Sequence, residues 1–515
     1  MNLPLVHLAI MQPAGYVHSL GFLDQARYFR YQFRRMGAEV TISKNRLRED
    51  AVNFVFGAHL GFPAEWTRRH ACIFVNLEQL GQGGAQVNAD YLNLLRRNAV
   101  CDYDADNLAA YLDPAADPAD IPLFPFAHAP YLRGDASPAL EERPIDLLFF
   151  GSMNPRRRAF LDKIEQAGFS VASFDTPVYG PERDDFIRQA KAVLNCHFYE
   201  SSRFEQARAF QCLSLGTPVI SERTPRTRPG AAFEDAVFWL DGADPAAFFR
   251  EQFNQPAFFD AARAKLDAFT RHDPIEAYAD LLAFAAGFHQ AHGQTRGSEP
   301  WRPARINLGS GKDYKPGWLN IDILERAEPD LVLDLGQPVS LPLAAPTCRG
   351  GHVQLEAGQL ELVYANNVLE HVPDLPMLMG NVLALLKEGG QFMIEVPYEH
   401  APTAWQDPTH LRALNENSWL YYTDWFWYLG WFDHRFEIAE FKWLDLQLKP
   451  CAKEQAAFMK VNLRKIATSL RERTTARTMR ADFGGIEADD VWQVPDDGAT
   501  AGTGSIAGSP AAATN

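Results

Sequence analysis

Positive charge is in short supply in this chain. Its 515 residues carry 49 lysines and arginines against 65 aspartates and glutamates, a formal net charge of −16. That balance argues against a general nucleic-acid binder, which needs a basic surface to displace counterions from phosphates. It leaves open anionic small molecules, which bind to local donors rather than to net charge. Cysteine is equally sparse. The six cysteines, Cys72, Cys101, Cys196, Cys212, Cys348 and Cys451, are scattered without a CxxC pair. Buried reduced thiols are therefore expected, not a disulfide framework or a zinc centre, and no metal site is predicted. The opening stretch MNLPLVHLAIMQPAGY has no basic leader, and no apolar run is long enough to span a bilayer. No short internal repeat is present. The expectation is a cytoplasmic protein without a transmembrane segment.

What the chain has is material for several cores. Apolar residues make up 47% and charged residues 22%, and at about 150 residues per domain the length predicts three or four domains. Short β-like runs alternate with helical spacing throughout. Val6–Met11, Ala38–Ser43, Val52–Phe56, Cys72–Val75 and Ala99–Tyr103 read as strands, with Gly21–Met36 as a helix between the first two. After the Pro, Ala and Asp-rich Asp113–Asp120, a second series begins at Ile145–Phe150. It continues through a helix at Pro155–Ala167, strands at Phe169–Phe174, Ala192–His197 and Pro218–Ser221, and a helix at Phe204–Leu215. A third series opens at Arg305, beyond the Gly, Ser and Pro-containing His292–Pro303. Such alternation predicts α/β architecture with parallel sheets covered on both faces.

The third series holds the most chemistry. In Ile306–Asp322, INLGSGKDYKPGWLNID, a strand ends at Leu308, Gly309-Ser310-Gly311 turns, and the next strand ends at Asp322. Glycines let a backbone approach a ligand closely, and a carboxylate at the end of the following strand can accept both hydroxyls of a ribose. A third strand, DLVLDL, carries Asp334; ELVYANNVLEHV leads a fourth strand into a helix starting near Val368; LLKEGG precedes a fifth. Together with QDPTHLRALNENSW at Gln406–Trp419, these motifs resemble a class I S-adenosylmethionine-dependent methyltransferase of the kind that modifies sugars or small metabolites. The resemblance implies that Gly309, Ser310 and Gly311 face the methionine part of the cofactor, that Asp322 holds the ribose, that Asp334 lies near the adenine, and that Asn366 and Asn367 close the site. Asn307 departs from the pattern, standing where many relatives have an acidic residue; it can still accept a hydrogen bond from the cofactor's ammonium. For the base that helps a sugar hydroxyl attack the methyl group, the candidates are His371 and His410, with Asp407 as a partner of His410. Between Trp405 and Trp431 eight aromatics crowd the chain: Trp405, Trp419, Tyr421, Tyr422, Trp425, Trp427, Tyr428 and Trp431. They suit either a lid over a sugar or a subdomain core.

In the second series the informative stretch is VLNCHFYESSRFEQARAFQCLSLGTPVISE, Val193–Glu222. Glu205 and Arg208 are spaced to share a face in the first turn of a helix, where free N–H groups favour phosphate. With Gly151-Ser152 and Arg156 after the first strand, this resembles the nucleotide-binding half of two-Rossmann, GT-B-like glycosyltransferases. The resemblance implies that Gly151, Ser152, Arg156, Glu205 and Arg208 bind a nucleotide-sugar donor. Gln211 stands where the family carries its later glutamate. Earlier in the chain, Gly15, His18 and Glu78 fall at strand ends, with His18 a candidate for facing the acceptor.

These readings predict three Rossmann-like units in five segments: 1–135 and 136–292 as the two glycosyltransferase halves, 301–450 as the methyltransferase, 451–480 as a closing basic helix, and 481–515 as a disordered Gly, Ala, Ser and Thr tail. The implied protein is a fused glycosyltransferase and O-methyltransferase of a glycan. Its cofactor is S-adenosylmethionine, its second substrate a nucleotide sugar, and its acceptor a glycan or glycolipid. It binds no nucleic acid, and a lipid-linked acceptor would bring it to the inner face of the membrane. The alternative keeps only the methyltransferase active, with the N-terminal half as a glycan-binding scaffold.

Overall fold

The computed structural model describes residues 3–134, 137–174, 176–241, 245–295 and 299–480. The expected disordered tail, 481–515, lies outside these residues. The chain forms two compact units, one of residues 1–334 with 340–356 and the other of 335–339 with 357–515. The division falls inside 301–450, the segment read from the sequence as one domain.

The first unit opens with strands β1 (Leu5–Ile10), β2 (Val40–Lys44), β3 (Ala51–Phe56), β4 (Ala71–Asn76) and β5 (Ala99–Asp102), in the order β2-β1-β3-β4-β5 and parallel throughout. β3 is buried along its whole length, as a parallel strand covered on both faces must be. Its alternate residues go to opposite faces. Phe54 and Phe56 join Phe29 and Phe33 of helix α1 (Phe22–Arg35) in one core, and Val55 joins Tyr91 and Leu95 of α2 (Ala89–Arg97) in another. α1 stops at Gly37, whose left-handed φ of +84° lets the N–H of Ala38 reach back to the Phe33 carbonyl.

The second sheet contains β6 (Ile145–Leu148), β7 (Val171–Ala172), β8 (Ala190–Asn195), β9 (Val219–Arg223) and β10 (Val237–Asp241), in the order β10-β9-β8-β6-β7. Counted from its own first strand, this is the topology of the first sheet. Helices α3 (Pro155–Gln166), α4 (Pro181–Gln189) and α5 (Gln206–Ser214) accompany it, followed by α6 (Ala231–Glu234), α7 (Pro245–Glu251), α8 (Pro256–Thr270) and α9 (Ile275–Thr295). α9 returns to the first sheet: Tyr278 and Leu281 belong to its core, with the Tyr278 ring 5.3 Å from that of Phe29. Arg183 of α4 ties the two sheet modules together, donating at 2.9 Å to Asp24 of α1 and at 2.8 Å to Asp184, all three buried. The first unit ends with three parallel strands, β11 (Arg305–Leu308), β12 (Leu319–Asp322) and β13 (Leu331–Val332), and an antiparallel hairpin, β14 (Leu343–Pro346) and β15 (His352–Leu355), which the sequence pattern did not reveal.

In the second unit, β16 (Leu360–Asn366) pairs in parallel with β17 (Leu386–Pro397), with α10 (Leu375–Leu385) between them in the chain. The helix expected to start near Val368 begins later. Leu369–His371 is a single 3-10 turn, Pro373 interrupts, and Asp374 caps α10 by accepting the Met377 N–H at 2.9 Å. The expected closing helix at 451–480 is also corrected. Residues Phe458–Ala467 form a strand, β19, antiparallel to both β17 and β18 (His434–Leu444), and α-helix is confined to Leu470–Arg480, α11. Met459, Val461, Leu463 and Lys465 are the buried residues of β19, a period of two. Lys465 is tolerated inside because its ammonium donates to the Leu386 carbonyl at 2.8 Å. Taken together, the chain is α/β, built of Rossmann-like units on mainly parallel sheets.

Candidate functional site

Open parallel sheets bind ligands beyond the carboxyl ends of their strands, where the strand order reverses. In the second sheet that point lies between β6 and β8. Asn154 fastens it: its Oδ1 accepts the Arg157 N–H at 2.8 Å, capping α3, and its Nδ2 donates at 2.8 Å to the Phe198 carbonyl beyond β8. Arg157, 2% exposed, is the hub. It donates to the Ser152 carbonyl at 2.8 Å, the Cys196 carbonyl at 3.1 Å and Glu205 Oε1 at 2.7 Å. The other Glu205 oxygen pairs with Arg208 at 2.7 Å, and Arg208 reaches Asn195 at 3.3 Å. Gly151, at φ +133°, makes room for this arrangement. A Cβ there would stand 2.9 Å from Arg208 Nη2 and 3.2 Å from Arg157 Nη1. Arg156 is held separately, by Glu200 at 2.7 Å and by Glu222, which also accepts the His197 N–H at 3.0 Å. Burial pushes the Glu222 carboxyl up, but the Arg156 and His197 hydrogen bonds outweigh it and leave its pKa below the ordinary value.

The structure thus gathers Gly151, Ser152, Arg156, Glu205 and Arg208 into one crevice. Two particulars differ from the sequence reading. The Glu205 carboxylate lies between two guanidinium groups instead of standing open, and Arg157, not singled out from the run Arg156–Arg158, is the buried member. Gln211 is turned inward, donating to Asp184 at 2.9 Å. His18 faces the Tyr179 hydroxyl at 2.8 Å, and Glu78 lies 3.6 Å from His59. Nearby, Gln79, Gly81, Ser201, Arg203, Arg226 and Arg228 line a cavity of about 350 Å³.

The second candidate lies at the ends of β11 and β12. Gly309 and Gly311 take left-handed φ of +61° and +45°, and the loop they form curls back on the neighbouring strand. The Ser310 N–H donates to the Ile321 carbonyl at 3.0 Å and the Gly311 N–H to Asp322 Oδ2 at 2.8 Å; Asp322 Oδ1 accepts the Leu324 N–H at 2.9 Å. Glycine bend and carboxylate therefore converge. A Cβ on Gly311 would meet nothing nearer than the Gly309 carbonyl at 3.9 Å, so the bend has room beside it. Beyond Asp322, Ile323 is 63% and Leu324 44% exposed, an apolar surface next to the carboxylate. The Asn307 amide nitrogen is used inside the loop, donating to the Asp313 carbonyl at 2.6 Å and to Asn320 at 3.0 Å. Asp334 is exposed two residues beyond β13.

The third candidate belongs to the second unit. Asn366 and Asn367 are exposed at the end of β16, Asn367 at a left-handed φ of +51°. In the turn that follows, Glu370 is 2% exposed, and neither carboxylate oxygen has a hydrogen-bond partner in another residue. Burial, partly offset by its own backbone N–H and by His410, pushes its pKa up to about 7. His410 Nε2 stands 3.9 Å from Glu370 Oε1, and its Nδ1 is 2.8 Å from the Ala404 carbonyl. His371 packs edge to face against His410, ring centroids 4.8 Å apart, with Nδ1 3.2 Å from the Thr409 carbonyl. Asp407 is not the partner of His410: its Oδ1 accepts the Thr409 N–H at 2.8 Å and hydroxyl at 2.7 Å, and these bonds hold its pKa below the ordinary value. Sequence reasoning missed Glu370, although it adjoins His371 in VLEH. The aromatic stretch divides: Trp419 and Tyr422 are core, while Trp405, Tyr421, Trp425 and Tyr428 are exposed.

Set beside known proteins, residues 140–444, more than half of the chain, match a family model described as "Methyltransferase domain". The chain belongs to that methyltransferase-domain family. Among curated proteins it is 29% identical over 140 residues to the uncharacterized protein L140 of Acanthamoeba polyphaga mimivirus, covering 25% of this chain and 42% of that protein. It is 32% identical over 78 residues to protein L138 of the same virus, covering 15% of this chain and 9% of that one. The chain thus spans less than half the length of these relatives. Among solved structures, an S-adenosylmethionine-dependent methyltransferase from Mesorhizobium loti matches at 16% identity and a TM-score of 0.20, covering 34% of this chain and 96% of that one. HepE of Anabaena, solved with UDP and glucose, matches at 11% identity and a TM-score of 0.37, covering 55% and 100%. Among the described residues no helix is long and apolar enough to cross a membrane.

Proposed function

We propose that the chain methylates a glycan hydroxyl with S-adenosylmethionine and also transfers a sugar from a nucleotide donor through its N-terminal half. One observation carries the methyl-transfer assignment: the Gly311 N–H and the Asp322 carboxylate meet at 2.8 Å beside an open glycine bend. Each Asp322 oxygen receives one backbone hydrogen bond and keeps lone-pair capacity for a ribose hydroxyl. Ile323 and Leu324 supply an apolar surface for adenine. The cofactor, when bound, supplies an electrophilic methyl group on sulfur. The exposed faces of Tyr421, Trp425 and Tyr428 suit the C–H face of a sugar. Calorimetry with S-adenosylmethionine tests the cradle. Asp322→Ala removes two charge-assisted contacts, each about 1.5–3 kcal/mol, so affinity falls at least about 100-fold. Binding unchanged in that variant would refute the assignment.

Support for the donor site comes from the switch-point crevice, where Arg157 and Arg208 hold Glu205 at the N-terminus of α5 and Arg156 is held beside it on the His197 carbonyl. A donor diphosphate displaces Glu205 from one of its arginines, freeing the carboxylate for a ribose. Titration with a panel of nucleoside diphosphates, in wild type and Arg208→Ala, measures this. The clamped Glu205 and the inward Gln211 favour a second reading, in which this half binds a glycan without transferring a sugar; nucleotide-sugar turnover lost in Glu205→Ala rejects it.

A further inference from the structure

We propose that Glu370, His371 and His410 form a binding site for a divalent transition-metal ion of the zinc class. Each residue offers a ligand atom, and the atoms all lie within 4.8 Å of one another. A tetrahedron with ~2.0 Å bonds has edges of ~3.3 Å, so the ligand atoms have to close by no more than about 1.5 Å. Three features favour a cation over a simple polar cluster.

The first is the state of Glu370. A carboxylate 2% exposed, with neither oxygen bonded to another residue, is a costly thing to bury. Its nearest basic atom, His410 Nε2 at 3.9 Å, is too far for a hydrogen bond. A cation between the two satisfies both at once.

The second is the orientation of the imidazoles. His410 Nδ1 lies 2.8 Å from the Ala404 carbonyl, and His371 Nδ1 lies 3.2 Å from the Thr409 carbonyl and 3.1 Å from the Thr409 hydroxyl, whose proton goes to Asp407. Donation from Nδ1 to a carbonyl fixes the neutral tautomer whose lone pair is on Nε2. Metal-bound histidines are held in this way, the non-ligating nitrogen anchored by a carbonyl behind it.

The third is the ligand set. Two imidazoles and one carboxylate select zinc or a neighbouring first-row ion over magnesium or calcium, which want oxygen ligands. Three protein ligands leave a position for an oxygen donor, water or an acceptor hydroxyl, as in catalytic and not structural zinc sites. The site rests on this geometry alone, so it stands or falls separately from the assignment of the Gly309–Asp322 cradle.

The full-length protein, stripped with a chelator and dialysed, is titrated with cobalt(II) and with zinc(II). The expected result is one equivalent bound, cobalt giving visible d–d bands of low-symmetry coordination that zinc displaces. Glu370→Gln preserves side-chain shape and His410→Ala removes a ligand; each weakens binding at least 10-fold. Circular dichroism and S-adenosylmethionine calorimetry on the same samples report whether the fold and the other site survive. No bound equivalent in the stripped wild type overturns the proposal, as does equal binding in a folded Glu370→Gln protein. S-adenosylmethionine binding that persists without metal leaves the methyl-transfer reading intact in either case.

Discussion

Single residues decide how the switch-point crevice of the second sheet is set. Gly151 is the clearest, because a side chain there meets two guanidinium groups and φ is +133°. Gly151→Ala is expected to lower stability by at least about 1 kcal/mol and to weaken nucleoside diphosphate binding, since Arg208 must move; urea unfolding and calorimetry measure the two. His7 contributes to the acid response of the first module. Its ring is 1% exposed and lies between Thr41, Ser43 and the Arg46 carbonyl, and burial lowers its pKa from 6.5 to about 4. A histidine held neutral contributes stability above its unfolded pKa and loses it as pH falls through the folded value. Between pH 6.5 and 4 the unfolding free energy from urea titration should therefore drop, by about 3 kcal/mol at most from this group, and His7→Gln should flatten that slope. Residue-level legibility was uneven for a physical reason. Gly309, Ser310, Gly311 and Asp322 are contiguous with the strands that place them, so their meeting could be foreseen. Arg157 could not be told from Arg156 and Arg158 before the Asn154 cap fixed the helical phase. Glu370 passed unnoticed because its neighbour His410 reaches it from a separate loop.

At the scale of elements, strongly alternating segments were readable and short or two-faced ones were not. The five strands of the first sheet fell within a residue or two of their expected positions. The stretch at 458–467 was misread because charged residues interrupt its apolar ones, and Lys465 looks solvent-facing until the Leu386 carbonyl is seen to hold it. Its alternation, with Met459, Val461 and Leu463 inward, was present in the sequence all along. Leu463→Ala should cost about 2–5 kcal/mol by thermal or urea unfolding, as for a fully buried side chain. The contact of α1 with α4 makes a sharper test. Arg183→Ala leaves Asp24 and Asp184 buried without their cation and should cost about 3–5 kcal/mol, whereas simultaneous replacement of all three by apolar residues should recover much of the loss.

For the whole molecule, the alternation of strands and helices announced repeated α/β construction, and two sheets of identical topology answer to it. The compact units could not be foreseen, because their division depends on packing between distant segments: Trp301, for one, lies under the guanidinium of Arg69, 3.9 Å from ring centre to Arg69 Cζ. A boundary at 450, natural to a reader of motifs, passes between β18 and β19. β19 lies between β17 and β18 and hydrogen-bonds to both. Anyone trimming the gene at that point would discard an interior rung of the ladder and keep its outermost one, leaving two raw backbone edges open to neighbouring molecules. Such a fragment should come out of cells as insoluble aggregate, and lengthening it past Ala467 should return it to solution.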